Sequence, residues 1–203
     1  MERRLSTIMA ADVAGYSAKM GADEVDTIRR VSSLTELIKE KAKSHGGRLF
    51  SRAGDGFLSE FHSPVSAARE AYELQQELAA PETSESIGLE LRIGIHLADV
   101  VVSGDDLLGD GVNIASRIEA EASPGSILVS STVFEHVKRN AQLKFEHQGS
   151  KTLKNISEPV TVYKITGELG SHSCATALIE SDHLPLMEKP QRRSHSVVVI
   201  PFK

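Results

Sequence analysis

The sequence predicts an α+β fold in which helices pack against one mainly antiparallel sheet. Short apolar or alternating runs recur along the chain, segments of helical periodicity separate them, and a Gly-Asp-Gly turn joins two runs into a hairpin. With 203 residues, of which 40% are hydrophobic and 25% charged, the chain can form one packed core and a tail.

The chain begins with a predicted strand and a long helix. The apolar run at residues 5–11 predicts a buried strand that breaks at Asp12 and Gly15. Helical spacing predicts a helix over about residues 22–44, with the apolar positions Val25, Ile28, Val31, Leu34 and Ile38. The sequence His-Gly-Gly at 45–47 is typical of a helix end.

A hairpin and a second helix follow. Residues 48–61, RLFSRAGDGFLSEF, predict two short strands around the Gly-Asp-Gly turn. Ser63 and Pro64 are typical of a helix N-cap and first helical residue.

The second half alternates strands and helices. A long strand is predicted over about residues 89–102, followed by a short helix within 109–122 that Pro124 and Gly125 end. A strand at 126–130, a helix at 131–140 and antiparallel strands within 143–165 complete the predicted sheet.

The texture of the chain changes after Gly167, so we expect one domain over residues 1–167 and a linker or tail over 168–203. The tail has no sustained periodicity, and it ends in SVVVIPFK, a strand-like run with no following partner. That run either folds back onto the domain or begins another domain.

The composition excludes several classes of function. A net charge of −5 with dispersed basic residues disfavours a nucleic-acid partner. The single cysteine, Cys174, cannot form an internal disulfide, and neither a signal peptide nor a membrane-spanning run is visible, so a cytoplasmic location is the default expectation. The eight histidines lack helical metal-ligand spacing, which favours an oxygen-bound metal over zinc.

Two carboxylates are candidate metal ligands. Asp12 follows a strand and Asp55 lies in the hairpin turn, so they would meet at one edge of the sheet if the two segments are neighbours. Such a pair suits Mg²⁺ or Mn²⁺, and two such ions suit phosphoryl or nucleotidyl transfer. The alternative is that each aspartate only shapes a turn.

The helix within 109–122 carries a second candidate group. Asn113 and Arg117 are four residues apart and project from the same face, where an amide and a cation can hold a sugar and a phosphate. The alternative is an exposed helix with an Arg117–Glu121 ion pair. Likewise, Asp106 could be a loop residue and Lys154 a solvated lysine.

Four separated motifs carry a resemblance to a known family: ADVAGYS at 11–17, AGDGFLSEF at 53–61, RIGIH at 92–96 with DLLGDGVNIASRIE at 106–119, and LKNISEPVTVYKI at 153–165. In order and spacing they resemble the class III nucleotidyl cyclase catalytic domain, in its bacterial adenylate cyclase branch, over residues 4–166. The resemblance implies a ferredoxin-like, palm-type sheet flanked by helices. It also suggests that this chain corresponds to the catalytic part of a multidomain protein.

The resemblance implies a role for each candidate. Asp12 and Asp55 match the metal-binding aspartates, which hold two Mg²⁺ or Mn²⁺ ions. Asn113 matches the residue that orients the ribose, Arg117 the residue that stabilises the transition state, and Lys154 a phosphate-binding lysine. Backbone N–H groups would cradle phosphate oxygens, and they belong to Val13, Ala14, Gly15 and Tyr16.

The family also implies a shared site. The two aspartates come from one subunit, whereas Asn113, Arg117 and Lys154 come from the other, so the chain is expected to act as a C2 homodimer with two equivalent sites. The hairpin would then serve both sites, with Asp55 facing one and residue 51 the other.

The base-reading positions depart from the family pattern. Asp106 matches the aspartate that accepts a hydrogen bond from adenine, but the usual lysine is replaced by Ser51. Because Asp106 is present, ATP remains the favoured substrate and an adenylate cyclase the favoured function. The alternatives are a cyclase that makes another cyclic nucleotide (cyclic CMP, UMP or GMP) and a non-catalytic nucleotide-binding dimerisation module. A diguanylate cyclase is excluded because Gly56, rather than an acid, follows Asp55. Ala98 stands where relatives usually have glycine.

Overall fold

The computed structural model describes residues 2–168, which form eight strands and six helices. The strands are β1 Glu2–Val13, β2 Gly47–Ala53, β3 Gly56–Phe61, β4 Leu91–Ser103, β5 Asp106–Leu108, β6 Ile127–Ser130, β7 Leu143–Lys151 and β8 Val160–Glu168. The helices are α1 Tyr16–Ala22, α2 Glu24–Ser44, α3 Pro64–Ala79, α4 Pro81–Ser86, α5 Asp110–Ala120 and α6 Ser131–Val137.

All eight strands form one sheet in the order β2-β3-β1-β4-β6-β8-β7, and β5 pairs with β4 beside this path. Within the described chain, β4 and β6 are the one parallel pair, and every other pairing is antiparallel. The prediction of a mainly antiparallel sheet with helices is therefore confirmed.

Helices cover both faces of this sheet, and β1 shows how the sequence divides them. Met9 and Ala11 point into the larger core, which α2, α3 and α6 close. Ile8 and Ala10 point to the opposite face, where they pack with Ala115 of α5. Because neighbouring strand residues point to opposite faces, a strand covered on both sides is a continuous apolar run.

The buried face of α2 includes three of the five apolar positions that predict this helix. Thr27, Val31, Leu34 and Ile38 are buried, whereas Val25 is 81% and Ile28 51% exposed. Thr27 and Val31 are four residues apart and share a helix face with Leu34 and Ile38, and both exposed residues lie away from that line. The predicted helix is therefore present, but Val25 and Ile28 do not belong to its buried face.

Several boundaries also differ from the predictions. The helix starts at Glu24, where the Asp23 side chain accepts a hydrogen bond from the Asp26 amide (2.9 Å), and α1 precedes it. The short elements α1, α4 and β5 were not predicted. Ser63 and Pro64 begin α3 as expected. The predictions for the tail, including its final strand, fall outside the described residues.

No helix in residues 2–168 combines the length and apolar character needed to cross a membrane.

Strand register sets the positions of Asp12 and Asp55. Asp12, near the end of β1, pairs with Gly56 of β3 on one side and with Arg92 of β4 on the other. The turn that carries Asp55 therefore lies beside the end of β1.

Candidate active site

The structure brings Asp12 and Asp55 together at one edge of the sheet. Asp55 lies in the turn between β2 and β3, and its carbonyl accepts a hydrogen bond from the Val13 N–H (3.3 Å). Gly54 in this turn has φ +63°, a left-handed conformation that favours glycine. The turn thus fixes the Asp55 backbone against the residue that follows Asp12.

One positive charge of the chain, that of Arg92, contacts Asp12. Burial raises the pKa of Asp12, the hydrogen bond from Arg92 lowers it, and the nearby Asp55 carboxylate raises it again, so that the pKa lies above its ordinary value. A cation between the two carboxylates would reverse this balance, because a nearby positive charge favours the ionised form.

Two carboxylates fit Mg²⁺ or Mn²⁺, which prefer oxygen ligands and are often held by one or two carboxylates together with substrate phosphates and water. Across residues 2–168, no cluster of three or more histidine, cysteine or acidic side chains could form a closed metal cage. The donor set therefore suits ions that arrive with a phosphorylated substrate.

Two further charged residues, which sequence reasoning missed, join this site. Arg92 donates a hydrogen bond to Asp12, and its Nε lies 3.2 Å from Oε1 of Glu119 on α5. Burial raises the pKa of Glu119 to about 7, Asp12 adds to this rise, and Arg92 opposes it. Both residues lie within the RIGIH and NIASRIE motifs, but only the pairing of β1 with β4 shows that they meet Asp12.

Ser51 lies near the same edge. It is half-buried on β2, opposite Leu58, and it lines a pocket of about 190 Å³ together with Asp12, Ser116 and Glu119. This pocket lies between the hairpin and α5.

Asp106 is the exposed first residue of β5. Arg48 of β2 donates a hydrogen bond to the neighbouring Asp105 carbonyl (2.9 Å) and another to Glu60 (3.0 Å). Arg48 therefore connects the β4–β5 turn to the strand that carries Ser51, so the two candidate base-reading residues lie on linked elements.

Asn113, Arg117 and Lys154 are exposed, the first two on α5 and the third between β7 and β8. Among residues 2–168, neither Arg117 nor Lys154 forms an ion pair, and Glu121 instead approaches Lys151 (3.8 Å). The alternative Arg117–Glu121 pair is therefore not formed. None of the three side chains forms a hydrogen bond or ion pair with Asp12 or Asp55 in this part of the chain.

Two of the four backbone amides of residues 13–16, at the end of β1 and just after it, donate hydrogen bonds to backbone carbonyls. Val13 donates to the Asp55 carbonyl and Ala14 to the Glu90 carbonyl (2.9 Å). Gly15 follows with φ +68°, and Tyr16 begins α1. Of the four amides expected to cradle phosphate, those of Gly15 and Tyr16 form no backbone hydrogen bond within residues 2–168.

Ala98 faces α5 at a point of close approach. A Cβ added to Gly111 would lie 2.4 Å from the Ala98 Cβ, so the strand accommodates alanine because the helix has glycine there.

Comparison with known proteins establishes the family. The model of the adenylate and guanylate cyclase catalytic domain matches residues 4–167. The chain belongs to this family. By family it is therefore a nucleotidyl cyclase domain.

Curated relatives include a putative adenylate cyclase 3 of Rhizobium meliloti, which is 40% identical over 166 residues. The alignment covers 80% of this chain and 28% of that protein. An adenylate cyclase of Streptomyces coelicolor is 29% identical over 142 residues, with 68% of this chain and 35% of that protein covered. The matched part of this cyclase domain thus spans about a third or less of these longer relatives.

Solved structures support the fold. The adenylate/guanylate cyclase/hydrolase from Silicibacter pomeroyi shares 36% identity at a TM-score of 0.70, with 81% of this chain and 98% of that one covered. The adenylyl cyclase CyaB from P. aeruginosa superposes with a TM-score of 0.72 at 20% identity, with 82% of this chain and 96% of that one covered.

Proposed function

We propose that this domain is an adenylate cyclase that converts ATP to 3′,5′-cyclic AMP and pyrophosphate at sites shared by two copies of the chain. The observation that carries the proposal is that the basic candidates form no hydrogen bond or ion pair with the acidic pair within residues 2–168. Asp12 and Asp55 form one acidic group, whereas Arg117 and Lys154 extend into solvent and form no ion pair in residues 2–168. A second copy can supply the missing half of each site.

In this reaction the ribose 3′-oxygen forms a bond to the α-phosphorus and loses its proton, while the bond to the β-phosphate oxygen breaks and pyrophosphate leaves. Two Mg²⁺ or Mn²⁺ ions on Asp12 and Asp55 would activate the hydroxyl and neutralise phosphate charge. These carboxylates fit that task because they are adjacent and half-buried, and burial and Asp55 keep the pKa of Asp12 above its ordinary value although Arg92 contacts it.

The other candidate residues would act on the substrate from the partner copy. Asn113 would orient the ribose, and Arg117, four residues later on the same face of α5, would stabilise the charge that develops around the α-phosphorus. Lys154 and the amides of Gly15 and Tyr16 would bind phosphate oxygens. The exposed positions of Asn113, Arg117 and Lys154 leave them accessible to a substrate held mainly by another chain.

Asp106 favours adenine, because a carboxylate accepts a hydrogen bond from the adenine amino group and repels the guanine carbonyl oxygen. Ser51 supports the alternative of another nucleotide, since a hydroxyl both donates and accepts and does not carry the charge of a lysine. The link through Arg48 supports a common role for Ser51 and Asp106.

The experiment is to incubate the purified protein with Mn²⁺ or Mg²⁺ and each of the four ribonucleoside triphosphates, and to measure cyclic product. We expect cyclic AMP from ATP and its loss in Asp55→Ala. Product mainly from another triphosphate would support the alternative substrate. No product from any of them would support a non-catalytic module and overturn the proposal.

A further inference from the structure

One guanidinium lies between two acidic side chains of different elements. Arg92 of β4 donates through Nη2 to Asp12 of β1, and its Nε lies 3.2 Å from Glu119 Oε1 on α5. The side chains are 31% exposed for Arg92 and 11% for Glu119. The Nε and Oε1 atoms are buried and make no well-directed hydrogen bond, so charge is the main attraction between them.

A close backbone contact fixes Glu119 in this position. Gly94 lies two residues after Arg92 on the same face of β4, and a Cβ added to it would lie 2.2 Å from the Glu119 nitrogen and 2.5 Å from the Ala115 oxygen. The backbone of α5 therefore touches β4 beside Arg92. This packing places the backbone of Glu119 against the strand that carries Arg92.

Arg92 and a metal ion would compete for the same carboxylate. Asp12 is the acceptor of the Arg92 hydrogen bond, and positive charges that approach one carboxylate repel each other. A carboxylate that attracts the Arg92 guanidinium from another direction therefore weakens the ion pair between Arg92 and Asp12.

We propose that Glu119 is a positioning residue that shares Arg92 with Asp12 and thereby raises the affinity of the Asp12–Asp55 pair for a divalent cation. This inference rests on the proposed function, because it assumes that the two aspartates hold metal. It assigns Glu119 no contact with substrate. Its effect passes through Arg92.

The test is calorimetric titration of the full chain with Mn²⁺, without nucleotide, at pH 8, where Glu119 is ionised. We expect Glu119→Gln to weaken binding roughly tenfold, as is typical when a supporting residue of a metal site is lost. The matched control is Glu121→Gln, which makes the same change two residues later, at the C-cap of α5, at a side chain that is 42% exposed. This control should bind like the wild type.

Arg92→Gln separates this route from a general effect of charge. Removing the competing cation should tighten Mn²⁺ binding, and Glu119→Gln should then have little further effect. The inference is wrong if Glu119→Gln lowers Mn²⁺ affinity equally in the wild-type and Arg92→Gln proteins. It is also wrong if the Glu119→Gln single variant binds Mn²⁺ with wild-type affinity. If Glu119→Gln fails to fold, the Arg92→Gln titration decides: unchanged or weaker binding overturns the inference.

The same titrations separate the inference from the proposed function. Asp55→Ala should abolish Mn²⁺ binding. If it does so while Glu119→Gln binds like the wild type, the metal site stands and the role of Glu119 is wrong. If the wild type itself does not bind Mn²⁺, the proposed metal site fails, and the role of Glu119 fails with it.

Discussion

Arg92 of β4 lies directly opposite Asp12 of β1 and donates a hydrogen bond to the Asp12 carboxylate. This ion pair gives the acidic edge of the sheet one positive charge from the protein itself. Burial and Asp55 nevertheless keep the pKa of Asp12 above its ordinary value.

Replacing Arg117 should slow the reaction without unfolding the protein, because the side chain is exposed and forms no ion pair in the described chain. Losing a preorganised charge stabiliser costs roughly 3–4 kcal/mol of barrier, so Arg117→Ala should lose a factor of several hundred in kcat. Arg139→Ala, at another exposed arginine, is the control and should retain activity. Similar rates for the two variants would remove Arg117 from the mechanism.

Introducing a lysine at Ser51 should sharpen the preference for ATP, since it restores a fixed donor at a half-buried position near the pocket beside α5. The measurement is kcat/KM for each of the four triphosphates. Ser33→Lys, on the exposed side of α2, makes the same substitution elsewhere and should leave selectivity unchanged. Unchanged selectivity in Ser51→Lys would show that residue 51 does not read the base.

Adding a methyl group at Gly111 should destabilise the domain, and removing the methyl group of Ala98 in the same variant should restore its stability. The new Cβ would lie 2.4 Å from that of Ala98, and overpacking of this kind costs about 1–3 kcal/mol. We expect a lower Tm for Gly111→Ala and recovery in the Gly111→Ala, Ala98→Gly double variant. Independent effects of the two substitutions would contradict the close approach of α5 and β4 at this point.

Stability should depend on pH through Glu70. Glu70 of α3 is fully buried, neither carboxylate oxygen has a hydrogen-bond partner in the described residues, and burial raises its pKa to about 8. Between the ordinary pKa near 4.5 and about 8 the folded state binds more protons than the unfolded state, so this carboxyl lowers stability as pH rises.

Glu70→Gln should therefore raise the Tm increasingly from pH 5 to pH 8. Glu36→Gln, at a side chain of α2 that is 74% exposed and pairs with Lys39, should show no such trend. If the Tm difference between Glu70→Gln and the wild type stays constant with pH, the buried Glu70 carboxylate is ionised throughout this range and this prediction is wrong.

Local patterns predicted most of the fold and the centre of the site. A strand end and a hairpin turn predicted where Asp12 and Asp55 lie, but their proximity also depends on the pairing of β1 with β3. Arg92 and Glu119 were missed because the contact of Arg92 with Asp12 spans 80 positions and depends on the pairing of β1 with β4. Periodicity within a segment carries no information on which strands become neighbours.

Two other differences have local causes. Val25 and Ile28 have the right spacing for a helix but lie off the buried face, since Thr27 occupies the position that faces the sheet. The strand β5 has three residues, too few to show alternation. Ser51 could be recognised as unusual from the sequence, but its link to Asp106 through Arg48 required the fold.

The central claim is that one complete site needs two chains, and mixing two inactive variants tests it most directly. Asp12→Ala and Arg117→Ala each disable both sites of their own homodimer, but a mixed dimer has one site with both residues intact. After full subunit exchange at equal concentrations, half of the dimers are mixed, so we expect about one quarter of wild-type activity. Activity no greater than the sum of the separate variants, with exchange verified by co-purification of differently tagged chains, would contradict the account.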